Sequence, residues 1–509
     1  MHPIDFFFKA ARQYPERIAI DSPAVCLTYA QLEQRVSSLA AALQSLDAQT
    51  GSRVGICAGN TVTHIVSLLA VMAAEKTWVP LNSRNAVGEL NRTIAFTEPS
   101  IVIAEQEHLA SLDLSGVAHR LAMDGGKADG AQDLDELAKA HAGGMPARVH
   151  PSLDATQAIK FTGGSTGTPK GVMQPYRAWT TTIINQVHAY GFDENDKYLI
   201  TAPVTHGTST YLIPILSQGG CHVLLDDTKP PSILKAFREK GVTTTFMPPT
   251  LIYMLMAQGE KEGMADFPAL RHLIYGGAPM PAEKIRLARE FFGPILETTY
   301  GQTEAPQIVT VMRAHDFEDE ANWTSVGRPG LLSEVGIMDP DGKLLAANEV
   351  GEIVVRGDII MSGYWKMPEK TAETIVDGWL HTGDRGYVDE RGYLYLKDRL
   401  RDVVITGGFN VYPIDVESVL DQHPAVHESA VFGVADEKWG EAVHAAIQLK
   451  PGAQATPEEL TAFAKQQLGS VKTPKQFHFF ADFPRSVAGK VHKPTIREQV
   501  ALRMKGRNQ

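Results

Sequence analysis

Between about residue 16 and residue 250 the chain alternates short β-branched runs with amphipathic stretches, as in Arg53-Val54-Gly55-Ile56-Cys57 followed by His64 to Ala74. Parallel strands cannot be joined by a tight turn; they need a crossover of a dozen or so residues, usually a helix. The alternation therefore predicts β-α units on parallel strands, in doubly wound α/β sheets. At 509 residues the chain is also too long for one core, so at least two domains are expected.

After Gly327-Arg328-Pro329-Gly330 the texture changes to short strands with turn signals: Ser333 to Met338, Asp341-Gly342, Glu352 to Arg356, then Tyr387 to Leu396 around Glu390-Arg391-Gly392. This predicts a β-rich subdomain. A small α+β unit is predicted beyond Lys397-Asp398-Arg399, with strands near Ser429 to Val434 and Val443 to Leu449. Its helix opens at Thr456-Pro457-Glu458-Glu459, where Thr456 can cap, Pro457 suits the first helical position and Glu459 completes a capping box. Leu460, Phe463, Ala464 and Leu468 then share one face. The boundary is placed at Arg399 to Arg401, giving domains 1–399 and 400–509.

Composition excludes several classes. The formal net charge of -11 and the lack of clustered Lys and Arg argue against a nucleic-acid surface. Cys26, Cys57 and Cys221 are too few and too scattered for a disulfide framework or a Cys-x-x-Cys metal site, so a reducing cytoplasm is expected. The start, Met1 to Lys9, has an acid before a short apolar run and no cleavage site, so it does not read as a signal peptide. The longest apolar stretch, Ile65 to Ala74, is short of the roughly 20 residues that span a bilayer. No membrane span is expected.

The sharpest local feature is Phe161-Thr162-Gly163-Gly164-Ser165-Thr166-Gly167-Thr168-Pro169-Lys170-Gly171, directly after the predicted strand Ala158 to Phe161. Glycines allow close backbone approach, hydroxyls and free N-H groups can surround a phosphate chain, and Lys170 adds positive charge. A plain flexible connection has the same composition. A Walker A loop needs Gly-Lys-Ser/Thr at its end, and Thr168-Pro169-Lys170-Gly171 does not supply it. Gly163 to Gly167 does satisfy the Gly-x-Ser-x-Gly elbow of α/β-hydrolases, with Ser165 as nucleophile, and this stays as a distant alternative.

Thr162 to Gly171 resembles the signature loop of the adenylate-forming superfamily, which contains acyl-CoA synthetases, luciferases and peptide-synthetase adenylation domains. Further motifs follow in the family's order: Tyr275-Gly276-Gly277-Ala278-Pro279, Thr299-Tyr300-Gly301-Gln302-Thr303-Glu304, Trp379 to Asp384, Lys397-Asp398-Arg399, Gly407 to Pro413, and Pro484 to Lys490. The resemblance covers nearly the whole chain and is closest to acyl-CoA and aryl-CoA ligases. It implies ATP-dependent formation of an acyl-adenylate with release of pyrophosphate, then transfer of the acyl group to the thiol of coenzyme A.

The resemblance also assigns roles. ATP would be held by Thr162, Gly163, Ser165, Thr166, Gly167, Thr168 and Lys170 at its phosphates, and by Gly276, Gly277, Ala278, Tyr300 and Gly301 around adenine. Asp384 and Arg399 would hold the ribose. Glu304 would hold Mg²⁺, Thr303 would reach a phosphate oxygen, and Lys490 would neutralise charge developing during adenylation. Arg401 stands where the family pivots its mobile C-terminal domain, most members having Asp or Lys there, and Gly407 and Gly408 would leave room for the thiol arm. No side chain must act as nucleophile, because the substrate carboxylate attacks phosphorus itself.

The family's acyl pocket draws on His206, Gly207, Thr208 and Tyr211, on the Gly276-Gly277 strand end, and on the residues after Glu304. No Asp follows His206 to pair with an ammonium, which disfavours amino acids. Neither Val204 to Ser217 nor Ala305 to Met312 contains Lys or Arg, which disfavours diacids. An uncharged aryl, alicyclic or medium-chain monocarboxylate remains. A stand-alone ligase feeding an acyl carrier protein is the alternative to coenzyme A, and a homodimer stays open.

Overall fold

The computed structural model describes the chain except residues 127–129, 163–169, 265, 400–403, 407–408, 412, 437–439, 486–490 and 508–509, and except the side chains of 162, 398–399, 405, 409–410, 440, 469–471 and 505–507. The architecture is mixed α/β with four sheets of eight, nine, five and five strands. In the eight-stranded sheet the run read at Arg53 to Cys57 becomes the strand Arg53–Ala58, lying parallel between Thr77–Asn82 and Ile101–Ala104. The helix after it is Val62–Ala73, which starts before His64 because the Thr61 hydroxyl accepts the His64 N-H at 3.1 Å. Its side chains from His64 to Ala73 are all buried, as an apolar surface on every side demands.

The nine-stranded sheet sets Thr244–Met247, His272–Gly276 and Leu296–Tyr300 side by side in parallel. Gly276 and Tyr300 therefore leave the sheet at the same carboxyl edge, the usual position of ligands in such sheets. The β-rich segment forms an antiparallel sheet in which Trp379–Val388 pairs with Leu394–Arg399. Both predicted turns are present, and Gly342 and Gly392 each adopt a φ of 83°, open to glycine at little cost.

In the last sheet the strands extend to Val426–Asp436 and Gly440–Leu449, beyond the apolar runs visible in sequence, because antiparallel pairing continues through their polar ends. The helix Pro457–Lys472 starts as read: Thr456 Oγ1 accepts from Glu459 N at 3.2 Å, and Glu459 Oε2 accepts from Thr456 N at 2.8 Å. Leu460 and Ala464 are fully buried, and Leu468 packs against the same cluster. Phe463 departs from the predicted face, being only half-buried with its ring edge-on to His423 at 5.0 Å.

Among the described residues a lysine amine lies inside the largest core. On the strand Thr156–Thr162, Ala158 and Lys160 share a face, and Lys160 is 7% exposed. Its Nζ lies 5.0 Å from the Trp78 ring and 5.2 Å from the Trp179 ring, and donates to Ser209 Oγ at 2.8 Å and to the His206 carbonyl at 3.2 Å. No carboxylate pairs with it among the described residues, and burial pushes its pKa down to about 7.

Two outcomes are expected. Thr456→Ala should destabilise the C-terminal unit by about 1 kcal/mol, read as faster hydrogen exchange of the 457–472 amides. For Lys160, a folded pKa near 7 and an unfolded one near about 10.4 mean that the unfolded chain binds more protons between those values, so this residue's contribution to stability rises with pH across that window. The denaturation midpoint of Lys160→Met relative to the parent should therefore shift in the variant's favour as pH falls from about 10 to about 6. A pH-independent difference would contradict the lowered pKa of Lys160.

Candidate active site

The strand Thr156–Thr162 runs into the glycine-rich loop, and the chain returns at Lys170–Pro175 as an antiparallel strand with Thr162 opposite Lys170. A hydrolase elbow needs a helix at that return, so the Ser165 alternative lacks its structural context. Gly163, Ser165, Thr166, Gly167 and Thr168 lie outside the described residues, as does the side chain of Thr162. Lys170 is half-buried at the root of the loop, with Nζ 5.3 Å from the Tyr364 ring.

Tyr364 links that root to Glu304. Its hydroxyl donates to Glu304 Oε1 at 2.9 Å, and burial first, then the Glu304 charge, hold its pKa above the ordinary tyrosine value. The Glu304 carbonyl accepts from Met361 N at 2.7 Å. Thr303 is fixed through its own carbonyl, which accepts from the buried Gln174 amide at 2.8 Å. Motif reading missed Tyr364 and Gln174 because neither lies near Glu304 in sequence.

The second group forms where two sheets meet. Asp384 is 9% exposed, and its Oδ2 accepts from the Tyr300 hydroxyl at 2.7 Å and from Gln302 Nε2 at 2.5 Å. Gln302 also donates to the Thr382 carbonyl at 3.1 Å, and the Thr382 hydroxyl accepts from Asp384 N at 3.1 Å. Asp384 and Arg399 are register partners across their strands, so the two ribose candidates share one rung. The Arg399 side chain lies outside the described residues.

Glycines shape the edge between these groups. Gly277 has a φ of 82°, and a Cβ on Gly276 would lie 3.0 Å from the Thr299 carbonyl and 3.1 Å from Phe246. Ala278 beside them is half-buried. A Cβ on Gly301 would come within 2.1 Å of the Gln307 carbonyl oxygen, so only glycine fits there.

His206 sits at the start of the 3-10 turn Gly207–Tyr211. Asn82 Oδ1 accepts from Arg84 N at 3.1 Å, which turns its amide nitrogen toward His206 Nε2 at 3.1 Å. Nε2 is then the acceptor and the ring proton belongs on Nδ1. Thr208 and Tyr211 are fully buried, Tyr211 stacking between Tyr198 and Phe246 at 5.4 and 5.2 Å. Of the four acyl-pocket candidates only His206 and Gly207 keep a partly exposed surface. Gln307, which the motifs did not single out, bridges to Tyr211 through a 3.1 Å hydrogen bond. Arg401, Gly407, Gly408 and Lys490 lie outside the described residues.

Comparison with known proteins extends this geometry. Residues 7–365 match the family described as AMP-binding enzyme, and residues 415–490 match the AMP-binding enzyme C-terminal domain. The chain is 34% identical over 496 residues to a feruloyl-CoA synthase of Amycolatopsis sp, covering 96% of this chain and 97% of the relative. It is 31% identical to the fatty acid–[acyl-carrier-protein] ligase ScoC of Streptomyces coeruleorubidus, with 96% and 94% covered. The solved structure of the amide bond synthetase McbA from Marinactinospora thermotolerans superposes with a TM-score of 0.89 at 32% identity, covering 98% of this chain and 99% of that one. The chain therefore belongs to the AMP-binding enzyme family, as an adenylate-forming ligase of the acyl-CoA and aryl-CoA type.

Proposed function

We propose that ATP lies along the carboxyl edge of the nine-stranded sheet, with adenine between the Gly276 to Ala278 strand end and Tyr300, ribose on Asp384 and Arg399, and phosphates in the loop from Thr162 to Lys170. The observation that carries this reading is Asp384: a carboxylate nine-tenths buried, held from one side by Tyr300 and Gln302 at the mouth of parallel strands. Ionised acceptors of this kind close on paired hydroxyls.

Glu304 fits a magnesium ion. One of its oxygens is steadied by Tyr364 and the other makes no hydrogen bond among the described residues, and Mg²⁺ at nucleotide sites takes one or two carboxylates beside phosphate and water. The ion would supply charge neutralisation at the phosphates. Thr303, its backbone fixed by Gln174, is the neighbour whose hydroxyl would reach a phosphate oxygen.

In the first half-reaction the substrate carboxylate attacks the α-phosphorus and pyrophosphate leaves. Lys490 contributes positive charge where negative charge grows, and the domain 400–509 pivots at Arg401 so that Gly407 and Gly408 can admit the thiol. The thiolate of coenzyme A then attacks the acyl carbonyl and AMP leaves. The boundary at Arg399 to Arg401 is supported by the change of sheet between Leu394–Arg399 and Val404–Thr406. Transfer to an acyl carrier protein is the second reading, favoured by the likeness to ScoC. Among the described residues no helix is long and apolar enough to cross a membrane.

Incubation of a panel of uncharged aryl, alicyclic and medium-chain acids with ATP and coenzyme A should yield AMP and acyl-CoA by mass spectrometry, and no AMP with any acid would sink the reading. Lys490→Ala should lower acid-dependent ATP-pyrophosphate exchange by about a hundredfold or more, the scale of losing one preorganised charge at a reacting centre. Intact exchange in that variant would remove Lys490 from the adenylation step.

A further inference from the structure

We propose that Gln307 sets acid specificity, its amide oxygen being the acceptor for a hydroxyl group carried by the acyl part of the substrate. The inference rests on the adenylation reading and names the class of acid within it: an uncharged monocarboxylic acid with a hydroxyl remote from its carboxylate.

Gln307 stands three residues after Glu304 in a backbone conformation unusual for a residue with a side chain, φ 55°. Such a conformation persists only where its surroundings hold it. Here the holding contact is visible, since the Gln307 carbonyl lies so close to Gly301 that no Cβ fits between them. The segment after Glu304 thus folds back on the end of the Leu296–Tyr300 strand and projects the Gln307 side chain toward the turn Gly207–Tyr211.

Three segments meet around that amide. A Cβ on Gly207 would lie 2.8 Å from Gln307 Oε1 and 3.6 Å from Phe246, and a Cβ on Gly276 would lie 3.1 Å from the same phenyl ring. Gln307 stays partly exposed although its neighbours Pro306, Ile308, Phe246 and Tyr211 are buried. Gln307 is therefore not sealed in the core as they are, and its Oε1 adjoins Gly207, which is also partly exposed.

The network fixes which end of the amide faces the substrate. Tyr211 is immobilised between two rings, which fixes where its hydroxyl lies. That hydroxyl accepts from Gln307, whose Nε2 donates at 3.1 Å. Oε1 is left pointing away from Tyr211, with no hydrogen-bond partner among the described residues.

A second amide lies behind the same turn, in the core. Gln186 is fully buried against this turn, its Nε2 at 3.4 Å from Thr210 Oγ1, and its Oε1 has no partner among the described residues. Lys160 reaches the turn from the other side, but its amine is engaged with Ser209 and the His206 carbonyl. The wall consequently offers one partly exposed acceptor, Gln307 Oε1, which a substrate hydroxyl satisfies and a bare hydrocarbon would cover and leave unpaired.

The test is a pair of matched acids, cinnamic and 4-hydroxycinnamic acid, with cyclohexanecarboxylic and 4-hydroxycyclohexanecarboxylic acid as a second pair, assayed on the full chain for AMP formation. The parent should favour the hydroxylated member of at least one pair by about tenfold or more in kcat/KM, because a site built to bind a hydroxyl discriminates strongly against its loss. Gln307→Leu should collapse that ratio to within about threefold, and Tyr211→Phe, which frees the amide to rotate, should lower it too, providing a second variant if the first misfolds. The proposal is overturned if the parent shows no preference in either pair, or if both folded variants keep the parent's ratio. AMP formation without preference removes only this inference, as does AMP from other acids of the wider panel but from none of these four, whereas no AMP from any acid of the panel removes the adenylation reading along with it.

Discussion

The hydrogen bond from Tyr300 to Asp384 is the contact on which the arrangement of the site depends. Tyr300 ends a strand of the nine-stranded sheet, and Asp384 lies within a strand of the antiparallel sheet. A carboxylate that is nine-tenths buried is costly unless its oxygens are hydrogen-bonded, so the bond both satisfies Asp384 and locks the two sheets at one spacing. Gln302 strengthens the same junction by donating to Asp384 and to the Thr382 carbonyl. An adenosine placed there meets groups whose positions were set during folding, which is how a site binds tightly without spending energy on reorganisation.

The eight-stranded sheet joins the site through two further contacts of the same kind. Tyr364, on an edge strand of that sheet, reaches Glu304, and Lys160, from the strand feeding the phosphate loop, reaches the His206 carbonyl and Ser209. Each joins segments far apart in sequence. Glu304, the root of the glycine-rich loop and the turn Gly207–Tyr211 are thus tied to other elements by side-chain hydrogen bonds and not by sheet pairing alone.

Much of this was legible in the sequence, for identifiable reasons. Parallel strands follow from the β-α rhythm around Arg53 to Ala74, and the cap at Thr456 follows from local chemistry that needs no tertiary contact. Gly276, Tyr300, Glu304 and Asp384 were recognisable because their motifs are contiguous. What stayed hidden were residues whose role is created by folding. The left-handed backbone at Gln307 has no residue-type signature, and Tyr364 and Gln174 come from strands remote from Glu304. The two candidate acyl segments contain no Lys or Arg, yet this could not reveal a lysine brought beneath Ser209 by another strand. The strand ends at Val426 and Gly440 were invisible because pairing, not hydrophobicity, extends them.

The central claim is that Asp384, held by Tyr300, is part of an ATP site. Equilibrium dialysis of ATP against the parent and against folded Asp384→Ala addresses it without needing the acid or the thiol to be known. The account predicts at least a tenfold weaker Kd in the variant, equivalent to about 1.4 kcal/mol of binding free energy. Equal affinity in the two proteins would contradict it.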